Sequence, residues 1–371
     1  MKYYIIAGEA SGDLHGANLM RAILRKDPHA EIRYWGGDDM QSVVGAPVRH
    51  IRNLAYMGFV EVALHLKTVL GNISFCKQDI LKFHPDVIVY IDYPGFNLKI
   101  AKFAHEHGFK NVHYISPQLW AWKKGRIKPM RRDLDRLCYI LPFEQDFYAH
   151  NNFPQAVYVG HPLLDAVARF QSSSTINSPE GKKIIALLPG SRKMELNKML
   201  PPMIRLAQKH PEYHFIIAGM TLLGDKYYQP YTRQASNVTV VYDKTYDLLS
   251  NAYAAIVCSG TATLETALFN VPQVVCYRAN PISVAIARPM IGNKIKYISL
   301  PNLIADSPIV TELIQDDVTD DRLQKEFDRI TADSQSRQEM LNGYARLHTL
   351  LGNAGASDRT AEEIMKIMKQ S

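Results

Sequence analysis

Short runs of β-branched and aromatic residues recur along the chain, each closed by a turn and followed by apolar residues at helical spacing. The first run, Tyr3 to Ala7, meets Gly8-Glu9-Ala10-Ser11-Gly12-Asp13-Leu14-His15-Gly16 and then a helical pattern through Leu19, Ile23 and Leu24. Ile32 to Trp35, Val87 to Ile91, Val112 to Ile115, Leu137 to Leu141 and Val157 to Val159 repeat the theme. Runs this apolar, without a polar alternate face, predict strands buried on both sides, as in parallel sheets covered by crossover helices. Gln171 to Lys183 is rich in Ser, Asn, Pro and Gly and reads as an interdomain boundary. A second series follows with Ile184 to Leu188, His214 to Ala218, Val238 to Val241, Ala254 to Val257 and Gln273 to Cys276. After Ile309 the pattern turns helical to the end. The expected fold is α/β: two Rossmann-like, doubly wound parallel-sheet domains, 1–170 and 171–345, with terminal helices covering sheet faces.

In such sheets ligands gather at the carboxyl ends of the strands, so the turns there carry the candidate chemistry. Ser259-Gly260-Thr261-Ala262 closes one strand and opens a helix, a seat of free N–H groups suited to an anion. Glu265, one turn inside, is placed to reach a neighbouring group such as a ribose hydroxyl. The alternative is a capping box with Thr261 as N-cap and Glu265 as first-turn acid. Gly190-Ser191-Arg192 is a second glycine turn, with a guanidinium suited to phosphate. In the first half, Glu9, Ser11, Asp13 and His15 make the first loop polar enough to face a substrate, and Asp92 ends a strand just before Pro94-Gly95. A turn-forming role is the competing reading of Asp92.

Composition narrows the classes. The chain has 371 residues, 47% hydrophobic and 21% charged, which suits two globular domains. It contains no apolar run long enough to span a bilayer, and its first residues lack a signal-peptide pattern, so a cytoplasmic location is expected. Four scattered cysteines, none in a C-x-x-C pair, argue for buried thiols. A net charge of +7 favours an anionic partner. Zinc-protease, hydrolase-elbow and P-loop motifs are absent, as is the G-x-G-x-x-G fingerprint. Asp133-Leu134-Asp135 has a metal-site form, but Arg132 and Arg136 flank it and would neutralise it, so no metal is expected. Trp120 and Trp122 abut six cations, Lys123, Lys124, Arg126, Lys128, Arg131 and Arg132, a mixture that suits bases, a phosphorylated lipid or an anionic membrane.

Eight co-linear motifs resemble the lipid-A-disaccharide synthases, glycosyltransferases of the two-Rossmann-domain GT-B type. They are Gly8-Glu9-Ala10-Ser11-Gly12-Asp13, Met57-Gly58-Phe59-Val60-Glu61-Val62, Ile91-Asp92 with Pro94 and Phe96-Asn97, Tyr114-Ile115-Ser116-Pro117 with Trp120-Ala121-Trp122, and Gly160-His161. Leu187-Leu188-Pro189-Gly190-Ser191-Arg192, Ser259-Gly260-Thr261-Ala262 with Leu264-Glu265, and Ser299-Leu300-Pro301-Asn302-Leu303 complete the set. Gln118-Leu119 departs from the family, which more often carries Ser-Val there. The resemblance implies two domains facing across a cleft, with residues 346–371 crossing back to the N-terminal one. It implies joining of UDP-2,3-diacylglucosamine to 2,3-diacylglucosamine 1-phosphate in a Gram-negative cell, giving a β-1,6-linked disaccharide 1-phosphate and UDP. No cofactor and no nucleic acid is implied, and a homodimer is allowed. Asp92 is the expected base, with His15 second. Gly190, Ser191, Arg192, Ser259, Gly260, Thr261, Ala262 and Glu265 are expected on UDP, and Glu9, Ser11, Asp13, Asn97, Trp122 and Asn302 on the acceptor side. A UDP-N-acetylglucosamine 2-epimerase and a basic nucleic-acid-binding protein are the alternatives.

Helical spacing from Phe59 to Ile73 sets Phe59, Val62, Ala63, Leu66, Val69, Leu70 and Ile73 on one arc, with Val60 and Leu64 outside it beside Lys67. That excess apolar surface, with Lys123, Lys124 and Arg126, is expected to meet acyl chains and the inner face of the inner membrane peripherally.

Overall fold

Each strand of the first series pairs in parallel with its neighbours, as runs buried on both faces require. The computed structural model describes residues 1–53, 66–121, 124–171, 176, 178–278 and 296–369. The chain divides into two compact units, Met1–Asp165 with Asn353–Ser371, and Ala166–Gly352.

The first unit holds β1 (Lys2–Ala7), β2 (Glu31–Gly36), β3 (Arg49–His50), β4 (Val87–Ile91), β5 (Lys110–Tyr114), β6 (Arg136–Tyr139) and β7 (Ala156–Tyr158). They form one sheet in the order β3-β2-β1-β4-β5-β6-β7. The order reverses between β1 and β4, where Ala7 stands beside Ile91. That junction is the topological switch point, so Gly8-Glu9 and Asp92-Tyr93 emerge side by side. On one face the helix Ala10–Lys26 packs with the last helix, Ala356–Lys369, whose Ala361, Ile364 and Ile367 share a core with Tyr3, Ile5, Leu19 and Ile23. On the other, helices Leu66–Phe83 and Pro94–Glu106 bury Ile73, Cys76, Ile80, Phe96 and Ile100 against Tyr4, Ile6, Ile88 and Tyr90. Val69 and Ile73 join that core, but Leu70, expected on the same arc, is 52% exposed.

The second unit holds β8 (Ile184–Leu188), β9 (His214–Gly219), β10 (Val238–Tyr242), β11 (Ala252–Cys258), β12 (Gln273–Tyr277) and β13 (Thr311–Ile314). All pair in parallel in the order β10-β9-β8-β11-β12-β13, with the switch between β8 and β11. β13 corrects the expectation that the chain is helical beyond Ile309. It is an edge strand in which Leu313 alone is buried, too short and polar to stand out as an apolar run. All four cysteines are free and buried.

Candidate active site

At the first switch point the backbone is bent sharply. Asp92 and Tyr93 follow β4 with φ of 44° and 47°, a left-handed pair that non-glycine residues seldom adopt. Asn97 holds the bend. It is fully buried and its Nδ2 donates to the Asp92 carbonyl at 2.7 Å and to the Ile91 carbonyl at 3.4 Å. The Tyr93 ring lies so close over Gly8 that a Cβ there would stand 2.4 Å from the ring, which is why this loop needs a glycine. The same approach sets Glu9, the N-cap of helix 10–26, near Asp92. Burial, reinforced by the Glu9 carboxylate, raises the Asp92 pKa to about 6.

His15 sits one turn further along helix 10–26, buried, and its Nδ1 has no hydrogen-bond partner among the described residues. Burial lowers its pKa to about 4, so at neutral pH the ring is uncharged. Beside it lies His161, buried after β7 and pushed down to about 3 by burial and then by His15. Its Nδ1 accepts the Leu163 N–H at 3.3 Å, which leaves the proton on Nε2.

At the second switch point Gly190, with φ of 103°, turns the chain from β8 into the helix Lys193–Lys209. Glu195 reaches back over it. Its Oε2 accepts the N–H groups of Ser191 at 3.2 Å and Arg192 at 3.3 Å, and a Cβ on Gly190 would meet that oxygen at 2.4 Å. Arg192 is exposed, its Nη1 standing 3.8 Å from Glu195 Oε1. Across the switch, Gly260 is the N-cap of the helix Thr261–Leu268, with no side chain capping it. Ser259 Oγ donates to the Ile298 carbonyl at 3.3 Å, and Thr261 is exposed. The N–H groups of Thr261 and Ala262 open this helix with no carbonyl inside it to bond. Glu265 does not turn back to the cap. Its Oε1 accepts the Tyr246 hydroxyl at 2.9 Å, so the capping-box alternative fails. Burial raises the Glu265 pKa, and the Tyr246 bond opposes the rise.

The family model described as Lipid-A-disaccharide synthetase matches residues 3–366. A lipid-A-disaccharide synthase from Geobacter sulfurreducens is 35% identical, over 98% of this chain and 96% of its own. One from Coxiella burnetii is 32% identical over 98% of each. The chain belongs to the lipid-A-disaccharide synthase family. Solved structures share its architecture. The S. aureus MnaA–UDP structure aligns with a TM-score of 0.71 at 12% identity, covering 100% of this chain and 97% of that one. The glycosyltransferase of kitacinnamycin aligns at 0.70 and 14%, covering 98% of each. At such identities the likeness shows the fold alone, two Rossmann-like units of the GT-B kind.

Within this lipid-A-disaccharide synthase fold the residues singled out from sequence separate into two groups. Asp92 and Glu9 gather at one switch point, with Ser11 exposed on the first turn of helix 10–26, whereas the titratable neighbours of buried His15 are Asp165 and His161. Gly190, Ser191, Arg192, Ser259, Gly260, Thr261, Ala262 and Glu265 line the two turns of the other. Asp13 and Asn302, expected to face the acceptor, are corrected. The Asp13 carboxylate is buried and accepts the N–H groups of Gly37 at 2.6 Å, Asp39 at 2.9 Å and Met40 at 3.1 Å, capping the helix Asp38–Val44. Asn302 is buried and pairs both ways with Val310 while donating to Glu312 at 2.9 Å. Asn97, likewise, is spent on the backbone of Asp92 rather than exposed to a ligand. Trp122, Lys123, Val60 and Leu64 lie outside the described residues. Lys67 and Lys124 are exposed, and Arg126 is half-buried, its pKa lowered by that burial. Asp133 pairs with Arg132 at 2.5 Å as expected, but Asp135 pairs with Lys110 at 3.4 Å while Arg136 goes to Glu363 at 3.2 Å. His161, Glu195 and Tyr246 carry site geometry to which sequence reasoning assigned no role, His161 having entered only within the Gly160-His161 motif. Only His161 gave a signal, at the end of an apolar run.

Proposed function

We propose that this chain is an inverting glycosyltransferase that joins UDP-2,3-diacylglucosamine to 2,3-diacylglucosamine 1-phosphate, releasing UDP and the β-1,6-linked disaccharide 1-phosphate. Membership of the family supports the reaction. The observation that carries the mechanism is Asp92, a residue with a left-handed backbone at the switch point and a carboxyl pKa raised to about 6. Such a group is mostly ionised at neutral pH yet basic enough to accept a proton. Asp92 takes the proton of the acceptor's 6-hydroxyl as its oxygen attacks the anomeric carbon, and the bond to the diphosphate breaks on the opposite face. Inversion follows from that in-line displacement. Neutral His15 is the second candidate base.

Departing negative charge has to be met where it develops. The exposed Arg192 guanidinium and the N–H groups opening helix 261–268 are the proposed diphosphate contacts. Glu265 is the proposed partner of the ribose hydroxyls. Both substrates carry acyl chains, and among the described residues no helix is long and apolar enough to cross a membrane. Peripheral work on the inner face of the inner membrane, through the surface near Lys67, Lys124 and Arg126, fits that chemistry. UDP release with and without the acylated sugar phosphate is the deciding experiment. Release that depends on the acceptor and yields a disaccharide supports the proposal; acceptor-independent turnover of UDP-N-acetylglucosamine to its manno epimer would overturn it.

A further inference from the structure

The carboxylate assigned to the ribose is held from outside its own helix. Tyr246, in the helix Thr245–Asn251, donates its hydroxyl to Glu265 Oε1 at 2.9 Å. The phenol ring is itself fixed, edge-on to Phe170 at 5.6 Å and tilted against Phe269 at 5.1 Å, and those two rings meet each other at 5.6 Å. Left alone, a glutamate's terminal torsion is broad, and its two oxygens sweep freely. The bond to a ring locked between two others removes that freedom. It also consumes acceptor capacity on Oε1 alone, leaving Oε2 whole. Because the phenol donates, it favours the charged form of a carboxylate whose burial favours the neutral one.

We propose that Tyr246 is a positioning residue that makes the nucleotide site selective for ribose, by fixing Glu265 so that Oε2 meets the vicinal hydroxyls of the sugar. The inference rests on the assignment of Glu265 to the ribose. A half-buried acceptor that a bound ligand covers rejects a ligand lacking the hydroxyl, since the acceptor is then desolvated without a partner. An acceptor free to rotate discriminates less.

The test is calorimetric binding of UDP, 2′-deoxy-UDP and 3′-deoxy-UDP to the full chain, to Tyr246→Phe and to Glu265→Ala. The wild type should lose on the order of tenfold or more in affinity when the contacted hydroxyl is removed. Tyr246→Phe keeps the ring between Phe170 and Phe269 and so should melt close to wild type. Its penalty for the missing hydroxyl should shrink by roughly threefold or more, mainly through weaker UDP binding. A Tyr246→Phe protein that keeps the full penalty overturns the inference, as does one in which all three ligands weaken equally. Glu265→Ala separates the two claims. If it abolishes the penalty while Tyr246→Phe does not, the ribose assignment stands and the role of Tyr246 falls; if Glu265→Ala keeps the penalty, the assignment itself falls.

Discussion

Asp92 combines three properties that a surface turn aspartate lacks: a left-handed backbone, a buried amide clamping its carbonyl, and a carboxylate neighbour in Glu9. Strain of this kind costs on the order of 1–3 kcal/mol per residue and persists only where the surroundings impose it. Asp92→Asn should therefore fold and bind UDP normally while losing about a hundredfold or more in kcat, as expected for removal of a general base. The base must be ionised, so wild-type kcat/KM should fall as pH drops through about 6; near-normal turnover in the variant would pass the role to His15. Glu195 supports a prediction of opposite sign. Its carboxylate occupies the N–H groups of Ser191 and Arg192, beside the proposed diphosphate contacts. Glu195→Gln retains an acceptor for those N–H groups but removes a negative charge, so UDP should bind more tightly by on the order of 1 kcal/mol, about fivefold. Unchanged UDP affinity would put the diphosphate elsewhere. These cases also mark what a sequence can tell. The strand-end position of Asp92 was legible because an apolar run stops there, at the kind of place where a parallel sheet collects its ligands. Asp13 and Asn302 were misread because a polar loop residue looks the same whether it meets a ligand or caps a neighbouring element. Tyr246 stands 19 positions from its partner, and nothing local announces the bond.

Elements show the same division between local and distant causes. The central strands announce themselves by continuous apolar runs, whereas Arg49–His50 and Thr311–Ile314 exist only because a neighbour's free edge recruits them. The final helix depends on a cap supplied by residues far away in sequence. Asp165 accepts the N–H groups of Gly355, Ala356 at 3.2 Å and Ser357 at 3.0 Å, satisfying donors that the helix Ala356–Lys369 cannot satisfy internally. Arg359 adds a second tie, donating to the carbonyls of Val159 at 2.7 Å, Asn353 at 3.0 Å and Ala354 at 3.1 Å, with its guanidinium filling the space a Cβ on Gly160 would need. Asp165→Ala leaves buried N–H groups unpaired and removes a charged acceptor at a helix N-terminus, a loss of about 3 kcal/mol. For a unit of this size that is roughly a 6–12 °C fall in Tm. Calorimetry showing a shift under about 2 °C would mean that packing of Ala361, Ile364 and Ile367 holds the helix without the cap.

At the scale of the whole molecule the question is how a protein with no spanning helix among its described residues meets two lipid-bearing substrates. Its net charge of +7 gives long-range attraction to anionic lipid, at about 1 kcal/mol for each Lys or Arg close to the surface. Lys124, Lys128, Arg131 and Arg132 are exposed, though the last pairs with Asp133 and Arg131 donates to the Asn151 and Asn152 carbonyls, so not every cation is available. Charge alone would give a weak, wholly salt-sensitive association. For Val60 and Leu64, which lie outside the described residues, we propose a second, salt-insensitive contribution, at up to about 1.5–3 kcal/mol for each side chain buried in the acyl boundary. The two contributions separate experimentally. Raising salt from 0.05 to 0.5 M should release much of the wild-type protein from liposomes containing anionic lipid and leave a residue bound. Changing Val60 and Leu64 together to serine should abolish that residue and raise the apparent KM for the acylated acceptor, while UDP affinity stays fixed. If the double variant instead melts several degrees lower and its folded fraction still binds liposomes at high salt, both side chains belong to the protein core and the membrane contact lies elsewhere.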